Sequence, residues 1–229
     1  ELDPVPFGQT AELQKLGHGT AIPINVRHSA RKAPIVGVSA DYYDQRDLHP
    51  VRGTRPLMLG DCLLGASIAA QLGLDVGEHL FSDPTDIYDI ARPPTLKMRI
   101  SGVLPLTKSP DDHAVFVDIA TCWILEGATH GHNKAEDMTG NKVLGKRDGT
   151  IALSPAIKEY QEVTQANLTT FHVHGDEAKL PLTGILFFPK NDKAGTLIKA
   201  HCNLKTDYRM VVPTQVIDEL MEVVFRVKH

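Results

Sequence analysis

Between residues 61 and 126 the apolar pattern keeps changing its period, and that alternation is what most narrows the folds open to this chain. Asp61 precedes a run with Leu63, Leu64, Ile68 and Leu72 at helical spacing, closed by Gly73 where helices favour a left-handed cap. Leu96, Met98 and Ile100 then alternate with Lys97, Arg99 and Ser101, the period of a half-buried strand. Ala114 to Val117 is an unbroken apolar run, which predicts a strand buried on both faces, and Asp118 is placed to cap a helix over 119–126. Strands and helices interleaved at this spacing predict an α+β fold packed in two layers.

The flanking segments extend the pattern. Thr10 is placed to cap a short helix to Leu16, ended by Gly17. Thr20 to Val26 and Pro34 to Ser39 read as a hairpin joined by the polar stretch 28–32. From Gly127 to Gly149 the chain is polar and aperiodic, which predicts a long exposed loop. Beyond it come expected strands at 168–173, 183–188 and 209–212 and a helix near 194–200. A last helix is capped by Thr214, with Val216, Ile217, Leu220, Val223 and Val224 on one face.

Composition then excludes several classes. A 229-residue chain with 42% apolar residues can bury a core without a metal or disulfide to hold it. The formal charge of -4, with no cluster of five or more Lys and Arg, argues against a nucleic-acid partner. No run approaches the about 20 apolar residues that a membrane helix requires. The chain opens Glu1-Leu-Asp-Pro without an initiator Met, a basic n-region or a cleavage box, and reads as a segment of something longer. Cys62, Cys122 and Cys202 have no CxxC spacing and read as three buried thiols.

Among the motifs, Gly140-Asn-Lys-Val-Leu-Gly-Lys-Arg nearly completes a phosphate-binding loop. Arg147 stands where Ser or Thr must reach Mg²⁺, so neither ATP binding nor catalysis is expected. Asp111 and Asp112 read as a turn with solvated charges. Eleven histidines are the unusual count, and four of them form two i, i+2 pairs, His130 with His132 and His172 with His174. In a strand, residues two apart share a face, so each pair could offer two imidazoles to one ion; alone, each also suits a surface or hydrogen-bonded role. If the loop folds back onto the strand, His130, His132, His172 and His174, or three of them with Glu126 or Asp176, form a candidate Zn²⁺ site that weakens below about pH 6.

A family resemblance follows from the ordered segments. Leu57-Met-Leu-Gly-Asp-Cys-Leu-Leu-Gly, then Ala69-Ala-Gln-Leu-Gly-Leu-Asp-Val-Gly-Glu-His-Leu, Leu96-Lys-Met-Arg-Ile-Ser-Gly-Val-Leu, Asp111-Asp-His-Ala-Val-Phe-Val-Asp and Trp123-Ile-Leu-Glu-Gly occur in one order across about residues 33 to 127. This set resembles the MacB-like periplasmic core domain of ABC transporter permeases of the MacB, LolC and FtsX class. Val212-Pro213 and the helix to Val224-Phe-Arg-Val-Lys resemble that family's run-in to a membrane helix.

The resemblance implies a periplasmic, non-catalytic domain inserted between two membrane helices, with ATP hydrolysis in a separate cytoplasmic subunit. It also implies a second permease copy, a docking role toward substrate or partner protein, and no cofactor beyond the Zn²⁺ candidate. It further implies a porter-like lobe from 1–45 and 167–229 and a central sabre-like lobe from 46–166. The alternative reading is a free-standing extracytoplasmic zinc-binding protein built on the histidines.

Overall fold

The computed structural model describes residues 4–84, 95–130, 143–147, 150–153, 160–173, 175–205, 208–217 and 221. In chain order the elements are β1 (Val5–Pro6), α1 (Gly8–Lys15), β2 (Gly19–Ala30), β3 (Ala33–Val38), α2 (Asp41–Gln45), β4 (Arg52–Gly53), β5 (Asp61–Leu64), α3 (Ala66–Leu72), β6 (His79–Phe81) and β7 (Thr95–Val103). There follow β8 (Val115–Asp118), α4 (Ile119–Leu125), β9 (Thr129–His130), β10 (Val143–Arg147), β11 (Thr150–Leu153), β12 (Tyr160–Glu162), β13 (His172–Val173), β14 (Pro181–Leu182), β15 (Gly184–Pro189) and α5 (Asp192–Lys205). The fold is α+β, with mixed sheets and several short helices. The chain divides into two compact units, one of residues 1–10 and 22–186, the other of residues 11–21 and 187–229.

In the larger unit, strands follow the order β12-β7-β5-β8-β3-β2-β15, and β4 and β6 also pair with β7. β12 and β5 run parallel to β7, β8 runs antiparallel to β5, and β3 runs parallel to β8. β7 carries the predicted alternation: Leu96, Met98 and Ile100 are buried. Asp61, itself buried, clamps the β5–β7 pair by accepting Arg99 Nε at 2.9 Å and the terminal guanidinium nitrogen at 2.9 Å. The main core lies on this sheet, with Ile35, Leu64, Leu96, Met98, Ile100, Val115 and Ile124 at its centre. A second cluster joins Ile119 and Trp123 of α4 to Leu180 and Leu182, with the Phe7 ring edge-on to Trp123 at 5.0 Å.

Several expectations change. Leu63 and Leu64 belong to strand β5, and the helix begins only at Ala66; four consecutive buried residues between two strands look like a helix seam when no partner is known. Gly73 does end that helix in the left-handed region, at φ 64°. The 28–32 stretch is largely strand: β2 runs to Ala30 and turns at Arg31 and Lys32, whose φ values are 50° and 68°. Residues other than glycine hold this turn because the Asp83 carboxylate accepts from both of their backbone N–H groups and from Ser29 Oγ.

Thr10 lies inside α1 and does not cap it. The 127–149 segment holds β9 and β10, so it is not one long loop. Residues 168–170 form a 3-10 turn, which leaves only His172–Val173 as strand, and residues 209–212 take up no strand.

The smaller unit holds the start of β2, the end of β15, the body of α1 and the whole of α5. There the Lys190 N–H donates to the His18 carbonyl at 3.0 Å, and Ala194, Ile198 and Cys202 put one face of α5 into the interior. Residues 213–217 and 221 are helical, so the last helix starts at Pro213, one position before the expected cap, and Val216, Ile217 and Met221 are exposed. No described helix is long and apolar enough to cross a membrane. All three cysteines are buried, and burial pushes the Cys62 and Cys122 thiols well above their ordinary range.

Candidate functional site

One histidine of each pair, His130 and His172, lies in a described strand. β9 and β13 form an antiparallel ladder in which His172 lies opposite His130 and Val173 opposite Thr129. Of the 127–149 segment, only Thr129 and His130 take part in this ladder. His132 and His174 lie outside the described residues. Among the described residues, no group of three His, Cys, Asp or Glu side chains is assembled to hold a metal.

The two acidic alternatives have other partners. Asp176 accepts from the Ala178 N–H at 3.1 Å and caps a 3-10 turn. Glu126 accepts from the amide nitrogen of fully buried Asn25 at 2.8 Å. Burial pushes the Glu126 carboxyl above its ordinary value, against the pull of Asn25 and Arg27 in the opposite direction.

The sign of the pH effect follows. The folded chain holds this proton more tightly than the unfolded one, so ionised Glu126 costs stability above its raised pKa, and the cost vanishes as pH falls below the ordinary value of 4.5. Glu126→Gln, which keeps the acceptor for Asn25, should therefore gain most over the parent at pH 7.5 and lose that advantage by pH 4. Denaturant titrations at the two pH values read this directly; an advantage that grows toward pH 4 would contradict it.

Asp111 and Asp112 are buried, contrary to their reading as solvated charges. Asp111 accepts from Tyr42 Oη at 2.8 Å and from the Arg46 guanidinium at 2.6 Å. Asp112 accepts from the Thr107 N–H, the Thr107 hydroxyl and the Lys108 N–H, at 2.8, 2.8 and 2.7 Å. The Thr107 backbone bond leads the donors that hold the Asp112 carboxyl below its ordinary value. Each carboxylate is consumed by its own donors, so the two do not converge as an acid/base pair would. Residues 143–147 of the incomplete phosphate motif form β10, and Lys146 lies opposite Ile151 in a hairpin with β11. A phosphate loop instead needs the lysine at the start of a helix.

One surface feature was not anticipated. A groove of about 540 Å³ is lined by Ala66, Ala69, Ala70 and Gly73 on one side and by Val51 and Leu106 on the other. Val51 is 59% exposed and Leu106 is 64% exposed. The signal was present in the spacing: small residues at 66, 69, 70 and 73 share one helix face, which leaves room for the groove.

No protein-family model matches this chain, and no curated protein matches it. Among the solved structures similar to it are two from bacteria. One is the periplasmic region of MacB from Actinobacillus actinomycetemcomitans, at 15% identity over 69% of this chain and 68% of that one, with a TM-score of 0.42. The other is a domain of a protein described as a permease from Porphyromonas gingivalis, at 16% identity over 55% of this chain and 58% of that one, with a TM-score of 0.37. Likeness at this level does not carry the activity of either protein over to this chain.

Proposed function

We propose that the chain is a non-catalytic extracytoplasmic domain of an ABC transporter permease, set between two membrane helices, which relays ATP-driven movement to a substrate or partner protein outside the membrane. One observation supports this reading. The segments that carry the sequence resemblance fold side by side as β5, α3, β6, β7, β8 and α4, in one sheet with one core. The details agree with the resemblance as well: the helix stops at Gly73, the chain turns through Gly77 at φ 90°, and β6 then pairs with β7.

A relay needs a body that moves without deforming. A close-packed interior transmits displacement in that way, and the Asp61–Arg99 clamp and the Asp111–Tyr42–Arg46 network tie adjoining elements of the larger unit together. In this reading the nucleotide is hydrolysed by a separate cytoplasmic subunit, a second permease copy completes the transporter, and the groove beside α3 is the apolar surface open to a partner. Purification of the full-length gene product from membranes tests the proposal. An ATPase subunit should accompany it, and hydrolysis should be unchanged in Lys146→Ala. A protein recovered free in the secreted fraction, with no ATPase partner, would contradict it.

A further inference from the structure

We propose that a cavity beside the turn end of the β2–β3 hairpin binds a phosphate-type dianion, held by Arg27 and Lys32 with His28 as the third polar partner. The cavity measures about 310 Å³, and its lining includes Arg27, His28, Ser29, Lys32 and Asp83. Successive residues of a regular strand point to opposite faces, so Arg27 and His28 would not line one cavity on such a strand. Here they do because β2 is bulged: Asn25 lies opposite Gly37 and His28 opposite Ile35, three steps on one strand against two on the other. A bulge of this kind re-aims side chains.

The charge of the lining points to an anion. Arg27 and Lys32 are exposed, and among the described residues neither side chain forms a hydrogen bond or an ion pair. Asp83 is already engaged by the Ser29 hydroxyl and by the Arg31 and Lys32 N–H groups. Glu126 feels the Arg27 charge but accepts from Asn25. One guanidinium and one ammonium match the charge of a dianion, and the guanidinium fork fits phosphate oxygens. His28 adds an independent observation: its Nε2 is buried and has no hydrogen-bond partner among the described residues, a deficit that a ligand oxygen relieves. Burial, and after it the Arg27 charge, hold the imidazole below its ordinary value, so at neutral pH it is a neutral hydrogen-bonding group. The proposal is independent of the transporter reading.

The test is a titration of the full chain with inorganic phosphate at pH 7.5 and constant ionic strength, read on the imidazole resonances of His28. These should shift saturably in the unaltered chain, a readout that needs no variant to fold. Arg27→Gln and Lys32→Gln should each weaken binding at least fivefold, whereas Lys15→Gln, at the end of α1, should leave it unchanged. Acetate, a monoanion, should bind at least tenfold more weakly than phosphate. Phosphatidylcholine vesicles with and without phosphatidic acid then distinguish the source of the phosphate: Arg27-dependent sedimentation only with phosphatidic acid identifies a lipid headgroup, and no sedimentation identifies a soluble phosphate. No saturable shift at His28, an equal response to acetate, or unchanged affinity in Arg27→Gln and Lys32→Gln would overturn the site.

Discussion

Replacing Trp123 by alanine is expected to cost about 3–5 kcal/mol, the range for removing a large buried aromatic. Trp123 is 2% exposed and stands where α4 meets the second core cluster, against Phe7, Ile119, Leu180 and Leu182. Three separate stretches of chain close around this one ring, so truncation opens a cavity that no single element can collapse to fill. For a chain of this size the melting temperature should fall by roughly 6–20 °C.

The companion variant separates volume from polarity. The indole Nε1 is buried and finds no hydrogen-bond partner among the described residues, and an unsatisfied buried donor costs about 1–3 kcal/mol. Trp123→Phe removes that donor while it keeps most of the ring, so its loss should be below about 1.5 kcal/mol. Equal losses for the two variants would show that the cluster does not depend on the ring's volume.

Gly65→Ala should cost about 3 kcal/mol, at the upper end for forcing an extra carbon into a packed site. Gly65 precedes α3 in ordinary extended backbone, so its conformation makes no demand for glycine. Space does: a Cβ there would overlap the Asp111 carbonyl oxygen and come within 2.6 Å of the Asp112 carbonyl oxygen. Both obstacles are backbone atoms of a turn anchored by its own carboxylates, through Tyr42 and Arg46 on one side and Thr107 and Lys108 on the other. Relief therefore requires the buried network to move. Gly73→Ala is the control, since nothing lies within 4 Å of its added Cβ and only the positive φ is strained, a cost of about 1 kcal/mol. Chemical denaturation of both variants checks the ranking, and a milder loss at Gly65 than at Gly73 would contradict it.

What the sequence discloses and what it withholds follow a physical division. β7 is legible because Lys97 and Arg99 interrupt its apolar residues at period two, and the end of α3 is legible because Gly73 does there what glycine does locally. Leu63 and Leu64 are misread because a strand buried by neighbours on both sides carries no period of its own. The turn at Arg31 and Lys32 is hidden because its stabilising carboxylate, Asp83, arrives from a distant segment, and the burial of Asp111 depends in the same way on Tyr42 and Arg46. The histidines show both sides: their i, i+2 spacing is visible along the chain, whereas the register that sets His130 against His172 exists only once the strands have paired.

In the proposed reading this domain faces the outside of the inner membrane. The described surface offers a probe for it: Leu57 is 79% exposed, while the natural thiols are buried and give little background. Full-length protein carrying Leu57→Cys would be treated with a membrane-impermeant maleimide in cells whose outer envelope is opened and whose inner membrane is intact. Leu57→Cys should be labelled before the inner membrane is breached, and labelling only after lysis would contradict an extracytoplasmic domain.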